Sequence, residues 1–191
     1  MSKRIVLILG GARSGKSRLA EELAGRLGER VLYVATAERG DEEMAARIAR
    51  HRERRPGQWR TLEAPRDVGA ALRALAGDAD VVLLDCLTLL VSNLVVALGE
   101  EPDEEMAAAA VQRELDELLA AYEAGSYSLL IVSNEVGWGL VPPYPLGRVY
   151  RDLLGWAHQR LCACSDRTYL VVAGVALDLK KLGADLNDLM E

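Results

Sequence analysis

Five short apolar runs recur along the chain, between more polar segments with helical spacing. The runs are Ile5–Leu9, Val31–Ala35, Val81–Leu84, Leu129–Val132 and Tyr169–Val172. They are almost entirely apolar instead of alternating, which is typical of strands buried on both faces of a parallel sheet. A buried helix could give the same pattern over so few residues, but the flanking turn residues favour strands.

The segments between these runs have the spacing of amphipathic helices. Leu19, Leu23 and Leu27 recur every four residues, and Gly28 stands where a helix C-terminal cap is expected. Three further helices are predicted, at 41–54 with Met44, Ile48 and His51 on one face, at 104–123, and around the stripe Val149, Leu153, Ala157 and Leu161. Strands alternating with helices predict an α/β fold, a mostly parallel sheet with helices on both faces.

The length and composition fit one globular domain. The chain has 191 residues, of which 50% are hydrophobic and 27% charged, which excludes disordered and low-complexity classes. We predict a single domain over residues 1–174 and a polar C-terminal tail, weakly ordered, over residues 175–191. Two loops rich in glycine or proline are also predicted, at 99–103 and 137–147.

The charge balance and the cysteines limit the partners and the compartment. The formal net charge of -6 argues against a general nucleic-acid binder. Three cysteines make a secreted disulfide framework improbable, and no signal sequence or membrane span is recognisable. We therefore expect a soluble, cytoplasmic protein with no nucleic-acid partner.

The segment from Gly10 to Ser17 carries the strongest chemical signal. It reads Gly-Gly-Ala-Arg-Ser-Gly-Lys-Ser and fits G-x-x-x-x-G-K-[ST], directly after a predicted strand and before a predicted helix. Backbone N–H groups of such a loop bind phosphate oxygens, and the helix dipole adds positive potential. Lys16 would reach the β- and γ-phosphates, and the Ser17 hydroxyl would bind Mg²⁺. An ordinary glycine-rich turn is the alternative, but sequence and context together favour a nucleotide-binding P-loop.

Asp85 is the predicted second ligand of the magnesium ion. It ends the apolar run Val81–Leu84, as the acidic residue of the second NTPase motif does. A strand-end aspartate that caps a turn would look the same. The P-loop upstream favours the metal ligand.

An arginine cluster surrounds one histidine at residues 47–55. Five arginines and one glutamate flank His51, a composition suited to a polyphosphate. Neighbouring positive charge disfavours imidazolium, so the ring would be neutral and could attack phosphorus. From composition alone, a solvated basic helix face with His51 against the core is the simpler interpretation. His158 and the pair Cys162 and Cys164 form no recognisable metal site, so Mg²⁺ is the only metal expected.

In these motifs the chain resembles the bifunctional adenosylcobinamide kinase / adenosylcobinamide-phosphate guanylyltransferases. The resemblance runs from Gly10 to about Gly174 through several motifs in the family's order. They are the P-loop, Ala35-Thr36-Ala37, Asp41-Glu42-Glu43-Met44, Arg47-Ile48-x-x-His51-Arg52, Arg55-Pro56-x-x-Trp59-x-Thr61-x-Glu63, Asp85-Cys86-Leu87-Thr88 with Asn93, Ser133-Asn134-Glu135-Val136-Gly137-x-Gly139-x-Val141-Pro142, and Arg148 with Arg151-Asp152. His158 stands where the family more often has asparagine.

The resemblance implies a RecA-like P-loop domain that assembles as a homotrimer and catalyses two steps. ATP or GTP phosphorylates adenosylcobinamide; His51 then attacks the α-phosphate of GTP, and the guanylylated histidine gives GMP to adenosylcobinamide phosphate. The product is adenosylcobinamide-GDP, an intermediate of cobalamin biosynthesis. His51 and Lys16 are the implied catalytic residues. The implied nucleotide-binding residues are Gly10, Gly11, Ala12, Arg13, Ser14, Gly15, Lys16, Ser17, Ala35, Thr36, Ala37, Arg52, Glu53, Arg54, Arg55, Glu63 and Asp85.

Two other functions fit parts of the sequence. A monofunctional P-loop small-molecule kinase would use the loop and leave His51 with a structural or phosphate-positioning role. A non-catalytic nucleotide sensor would bind GTP without turnover, although it has no need of a histidine inside an arginine cluster.

Overall fold

The computed structural model describes residues 2–38 and 56–184. The predicted helix at 41–54 therefore lies outside the described residues. The elements, numbered here in chain order, are β1 Ile5–Gly10, α1 Lys16–Leu27, β2 Val31–Ala35, β3 Arg60–Glu63, α2 Val68–Leu75, β4 Val81–Asp85, α3 Leu87–Val96, α4 Glu104–Ala124, β5 Ser128–Asn134, α5 Pro145–Cys164, β6 Arg167–Val172, β7 Val175–Asp178 and α6 Leu179–Leu182.

The described strands form one mixed sheet in the order β3-β2-β4-β5-β1-β6-β7. Neighbouring strands from β3 to β6 are parallel, and β7 pairs with β6 antiparallel at the edge. All five predicted apolar runs are strands of this sheet, and the α/β architecture is confirmed. The strand order places β1 between β5 and β6, the kind of position where α/β proteins bind ligands at the carboxyl ends of strands.

The central strands are apolar throughout because both of their faces are buried. In β1, Leu7 and Leu9 contact the larger cluster under α2 to α5, whereas Val6 and Ile8 contact the smaller cluster under α1. Successive side chains of a strand point to opposite faces, so a strand with helices on both sides needs apolar residues at every position.

Helix α1 packs on the sheet through smaller residues than the leucine spacing predicts. Ala20 and Ala24 are fully buried, and Leu19, Leu23 and Leu27 flank them half-buried against the same cluster. Gly28 caps the helix as predicted, with its N–H donating to the Ala24 carbonyl at 3.2 Å. Its backbone is extended, and space is what requires glycine: a Cβ there would lie 2.3 Å from the Cβ of Asp80.

Strands β3 and β7 and helices α2 and α3 are absent from the sequence predictions. Strand β3 reads Arg-Thr-Leu-Glu and is largely exposed at the sheet edge, so it carries no apolar run. Strand β7 lies in the segment predicted to be a weakly ordered tail, and residues 175–178 pair with β6 there. Helices α2 and α3 were not assigned, because both are short and α3 is apolar on most sides.

Glu114 is a buried carboxylate that caps helix α2 from the neighbouring helix α4. Its two carboxylate oxygens accept the N–H groups of Asp67 at 3.0 Å and Val68 at 2.7 Å. Burial raises the pKa of Glu114, while the two N–H groups oppose that rise. The first N–H groups of a helix have no partner within it, so a carboxylate held here stabilises the N-terminus.

We expect Glu114→Ala to lower the free energy of unfolding by about 2 kcal/mol, because two N–H groups lose a charged acceptor. Glu117→Ala is the matched control on the same helix: Glu117 pairs with Arg73 at the surface, where a salt bridge contributes less than about 1 kcal/mol. Denaturant unfolding of both variants measures the difference. Equal losses in the two variants would contradict the capping role.

Within the described ranges, no helix has both the length and the apolar character needed to cross a bilayer.

Candidate active site

The carboxyl ends of five parallel strands lie side by side along one edge of the sheet. From β1 to β3 they end in Gly10, Asn134, Asp85, Ala35 and Glu63. Four of these five residues are predicted to bind nucleotide, and the sheet brings them into one row. At about 4.8 Å per strand the row is about 19 Å long.

The P-loop connects the first of these strand ends to helix α1. Gly15 has φ +98°, in the left-handed region, and directly precedes the helix, whose Leu19 N–H donates to the Gly15 carbonyl at 3.0 Å. Gly10 is required by space, since a Cβ there would lie 2.6 Å from both Ser14 Oγ and the Val171 carbonyl oxygen. The loop therefore turns sharply and leads into the N-terminus of a helix, the geometry of an anion site.

Two side chains of the loop are arranged for a phosphate. Lys16 is buried, with 9% of its surface exposed, and its Nζ donates to the Gly11 carbonyl at 3.1 Å. Ser14 Oγ is buried and has no hydrogen-bond partner among residues 2–38 and 56–184. A buried hydroxyl without a partner costs free energy, and a phosphate oxygen in the loop would supply one. The loop fits the phosphates of a nucleotide.

Asp85 is held in place at the end of β4, two strands away from the P-loop strand. Tyr33 Oη donates to its Oδ2 at 2.8 Å. A carboxylate and the Ser17 hydroxyl are oxygen donors of the kind Mg²⁺ prefers, and Mg²⁺ takes only one or two such protein ligands when phosphates supply the others. Among residues 2–38 and 56–184 there is no group of three or more His, Cys, Asp or Glu suited to a metal.

Thr36 joins the ends of β2 and β4. Its hydroxyl is fully buried, donates to the Cys86 carbonyl at 2.7 Å and accepts the Cys86 N–H at 2.9 Å. Asn93 of α3 donates to the Thr36 carbonyl at 2.8 Å. The hydroxyl of Thr36 therefore links the ends of β2 and β4 beside the row of strand ends. The predicted contact of Thr36 with nucleotide stays a prediction. Burial, with the charge of Asp85, raises the pKa of Cys86 to about 11, so its thiol stays protonated at pH 7.

A buried polar network lies at the end of β5, and the sequence analysis did not predict it. His158 Nε2 lies 2.7 Å from Ser133 Oγ, Ser133 Oγ lies 3.2 Å from Thr88 Oγ1, and Thr88 Oγ1 accepts the Asn134 N–H at 2.6 Å. Burial lowers the pKa of His158, against the opposing charge of Glu135, so the ring is neutral at pH 7. The signal available in the sequence was a histidine inside an apolar helix stripe, which is more often only a packed residue.

The loop after Glu135 carries large apolar side chains into solvent. Trp138, Leu140, Val141 and Tyr144 are all more than half exposed, and Leu140 is 96% exposed. This loop leads into α5 and lies on the same side of the sheet edge as Glu135. It coincides with the glycine- and proline-rich segment that the sequence predicts to be a loop.

The other half of the predicted site lies outside the described residues. This applies to the proposed nucleophile His51 and to Arg52, Glu53, Arg54 and Arg55. Ala37 is described, in the loop after β2. A cleft of about 810 Å³ lies at the opposite, amino-terminal side of the sheet, near Arg18, Trp59 and Arg60, away from the row of strand ends.

A sequence model of the family described as cobinamide kinase / cobinamide phosphate guanyltransferase matches residues 6–179. The chain belongs to this family. The match extends past Gly174 into β7, beyond the limit of the motif resemblance. It includes the segment that contains His51 and, apart from Ile5 at the start of β1, every described strand of the sheet.

Curated relatives cover almost the same length. The chain is 44% identical over 181 residues to the bifunctional adenosylcobalamin biosynthesis protein CobU of Salmonella typhimurium, covering 92% of this chain and 99% of the relative. It is 46% identical over 174 residues to the bifunctional protein CobP of Pseudomonas aeruginosa, covering 91% and 96%. The CobU protein of Escherichia coli is 41% identical over 181 residues, covering 92% and 99%.

Solved structures of more distant proteins confirm the P-loop fold. A type III secretion ATPase superposes with a TM-score of 0.57 at 12% identity, covering 99% of this chain and 62% of that one. The RadB recombinase gives a TM-score of 0.50 at 16% identity, covering 87% and 73%. At these identities the likeness concerns the RecA-like fold alone.

Proposed function

We propose that this protein phosphorylates adenosylcobinamide with ATP or GTP and then transfers GMP from GTP, through a guanylylated histidine, to give adenosylcobinamide-GDP. The observation that carries the proposal is the family match over residues 6–179. It is joined by similarity to relatives that are named as bifunctional, and this similarity extends over nearly their whole length. A monofunctional kinase would need the P-loop but not the similarity in the segment that contains His51.

The first step uses the P-loop and the row of strand ends. The loop N–H groups and Lys16 would hold the β- and γ-phosphates. Ser17 and Asp85 would hold Mg²⁺, which would supply positive charge to the transferred phosphoryl group. The buried position of Lys16 and the orphaned Ser14 hydroxyl support this assignment. Ala35, Thr36, Ala37 and Glu63 would line the nucleotide farther along the row.

The second step needs a nucleophile on the α-phosphate of GTP. A ring nitrogen of His51 forms the bond to the α-phosphorus, and the bond from that phosphorus to pyrophosphate breaks. Arginines of the cluster, Arg52, Arg54 and Arg55, would stabilise the charge that develops on the phosphate oxygens. The phosphate of adenosylcobinamide phosphate then attacks the same phosphorus, which breaks the bond to His51 and frees the ring.

Incubation of the purified protein with adenosylcobinamide, Mg²⁺ and both nucleotides tests the whole sequence. Mass spectrometry should detect adenosylcobinamide phosphate first and adenosylcobinamide-GDP later, and supplying ATP or GTP alone shows which nucleotide serves the first step. Accumulation of the phosphate with no GDP product would favour the monofunctional kinase. Bound nucleotide with no product at all would favour the sensor.

The exposed loop of residues 137–144 is the proposed docking surface for the corrinoid. Four large apolar side chains beside Glu135 match a bulky, partly apolar macrocycle. Adenosylcobinamide should therefore protect Trp138 and Tyr144 from chymotrypsin, because ordering of the loop removes the extended conformation that the protease needs. Cleavage at the same rate with and without the corrinoid would contradict this placement. Assembly as a homotrimer stays a prediction from the resemblance.

A further inference from the structure

Glu135 is the acidic residue nearest to the P-loop among the described strand ends. It follows β5, the strand between the P-loop strand and the Asp85 strand, and its N–H donates to the Gly10 carbonyl at 3.1 Å. Its side chain is 22% exposed and is therefore partly open to solvent. One carboxylate oxygen accepts the Gly137 N–H at 2.6 Å, at the start of the apolar loop.

One arrangement of the hydroxyl protons in the buried network behind Glu135 places the proton of His158 on the nitrogen that faces Glu135. The Asn134 N–H donates to Thr88 Oγ1. In this arrangement the Thr88 hydroxyl donates to Ser133, and the Ser133 hydroxyl donates to His158 Nε2. A neutral imidazole that accepts at Nε2 carries its proton on Nδ1. That N–H faces Glu135 Oε2 at 3.8 Å, too long for a hydrogen bond but close enough to orient the carboxylate by its dipole.

We propose that Glu135 is the catalytic base of the phosphorylation step and that His158 is the residue that positions it. The proposal rests on the kinase half of the proposed function. Glu135 takes the proton of the acceptor hydroxyl as the O–H bond breaks. The hydroxyl oxygen forms its bond to the γ-phosphorus while the bond between that phosphorus and the β–γ bridging oxygen breaks, and the nucleoside diphosphate leaves.

The other acidic residues of the row are less suited to this role. Asp85 accepts a hydrogen bond from Tyr33 and is the proposed magnesium ligand, where a bound cation would keep it from taking a proton. Glu63 ends the outermost strand β3, four strand positions from Gly10. Glu135 alone of these three lies between the P-loop and the loop proposed to receive the corrinoid.

The two steps differ in their need for a base, so the proposal predicts different effects on the rates of phosphorylation and of GMP transfer. The nucleophile of the first step is a hydroxyl that must lose a proton. The nucleophile of the second step is a phosphate monoester, whose second pKa is about 6, so it is already ionised near pH 8. Loss of the base should therefore slow phosphorylation and spare guanylyl transfer.

Glu135→Gln tests this directly, because the amide keeps the shape and can still accept the Gly137 N–H. We expect kcat for phosphorylation of adenosylcobinamide to fall by about 10²–10⁴-fold with little change in KM. Transfer of GMP to supplied adenosylcobinamide phosphate should stay near the wild-type rate. Equal phosphorylation rates in the variant and the wild type would overturn the proposal, and so would a parallel loss of both steps. Absence of phosphorylation by the wild-type protein would instead refute the proposed function.

His158 is tested by a pair of substitutions and a readout that simple destabilisation would not give. His158→Asn offers a shorter side chain with one N–H donor for Glu135 and one oxygen acceptor on the side of Ser133, whereas His158→Ala offers neither. We expect His158→Ala to lower kcat for phosphorylation about tenfold or more, and His158→Asn to restore most of it. Both variants should still transfer GMP to supplied adenosylcobinamide phosphate. A loss of both steps in proportion to the fall in melting temperature, or no rescue by asparagine, would overturn the positioning role.

Discussion

Replacing Lys16 with alanine is expected to lower kcat/KM for phosphorylation by about 10²–10³-fold, the effect of removing one well-placed donor from a developing oxyanion. Lys16 is buried in the P-loop, where its Nζ already contacts the Gly11 carbonyl. An ammonium group has three donors, so it can keep that contact and reach the phosphates as well. Nucleotide affinity should fall together with the rate, since the ground-state triphosphate carries charge at the same oxygens.

Steady-state rates with Mg-ATP, and a titration of nucleotide binding, measure the effect. The matched control is Lys181→Ala, an exposed lysine at the far end of the chain that belongs to helix α6. That variant should retain wild-type rates. A Lys16→Ala protein as active as the control would contradict the assignment of the P-loop as the nucleotide site.

Replacing His51 with alanine is expected to abolish GMP transfer while phosphorylation continues. Loss of a covalent nucleophile lowers turnover by several orders of magnitude, since the remaining groups have no equivalent atom to attack phosphorus. Phosphorylation uses the P-loop and the acceptor hydroxyl, neither of which needs His51. Product analysis by mass spectrometry should therefore show adenosylcobinamide phosphate accumulating without adenosylcobinamide-GDP.

If the His51→Ala protein transferred GMP at the wild-type rate, either another residue would form the covalent intermediate or there would be no covalent intermediate. A loss of both steps would indicate that the histidine contributes to nucleotide binding as a whole. The split between the two activities is the informative result.

The central sheet was predictable because strands that are buried on both faces have apolar residues at every position. Val6 and Ile8 face one helix layer while Leu7 and Leu9 face the other, so the whole run is apolar. The P-loop was predictable because its glycines and lysine meet a stringent local geometry. Gly15 is at positive φ and Gly10 has no room for a side chain, which leaves few alternatives at either position.

The edge strands and the polar network were not predictable by the same means. Strand β3 is exposed and polar, and β7 is short, so neither buries enough apolar surface to produce a periodic pattern. The contacts of His158 with Ser133 and of Ser133 with Thr88 join residues 25 and 45 positions apart. Such pairs depend on how α5 and α3 pack over β5, which a local pattern does not specify.

The most direct test of the account uses GTP labelled at the α-phosphate. The protein is incubated with labelled GTP and Mg²⁺, denatured, and divided between acid and base before the retained label is counted. A phosphoramidate on His51 predicts label that is stable in base, lost in acid and absent from His51→Ala. The label should still be present in His158→Asn, because the ring of His158 is buried against Ser133 and is not the proposed nucleophile. Absence of covalent label from the wild-type protein, or label that persists in His51→Ala, would contradict the guanylylated-histidine mechanism.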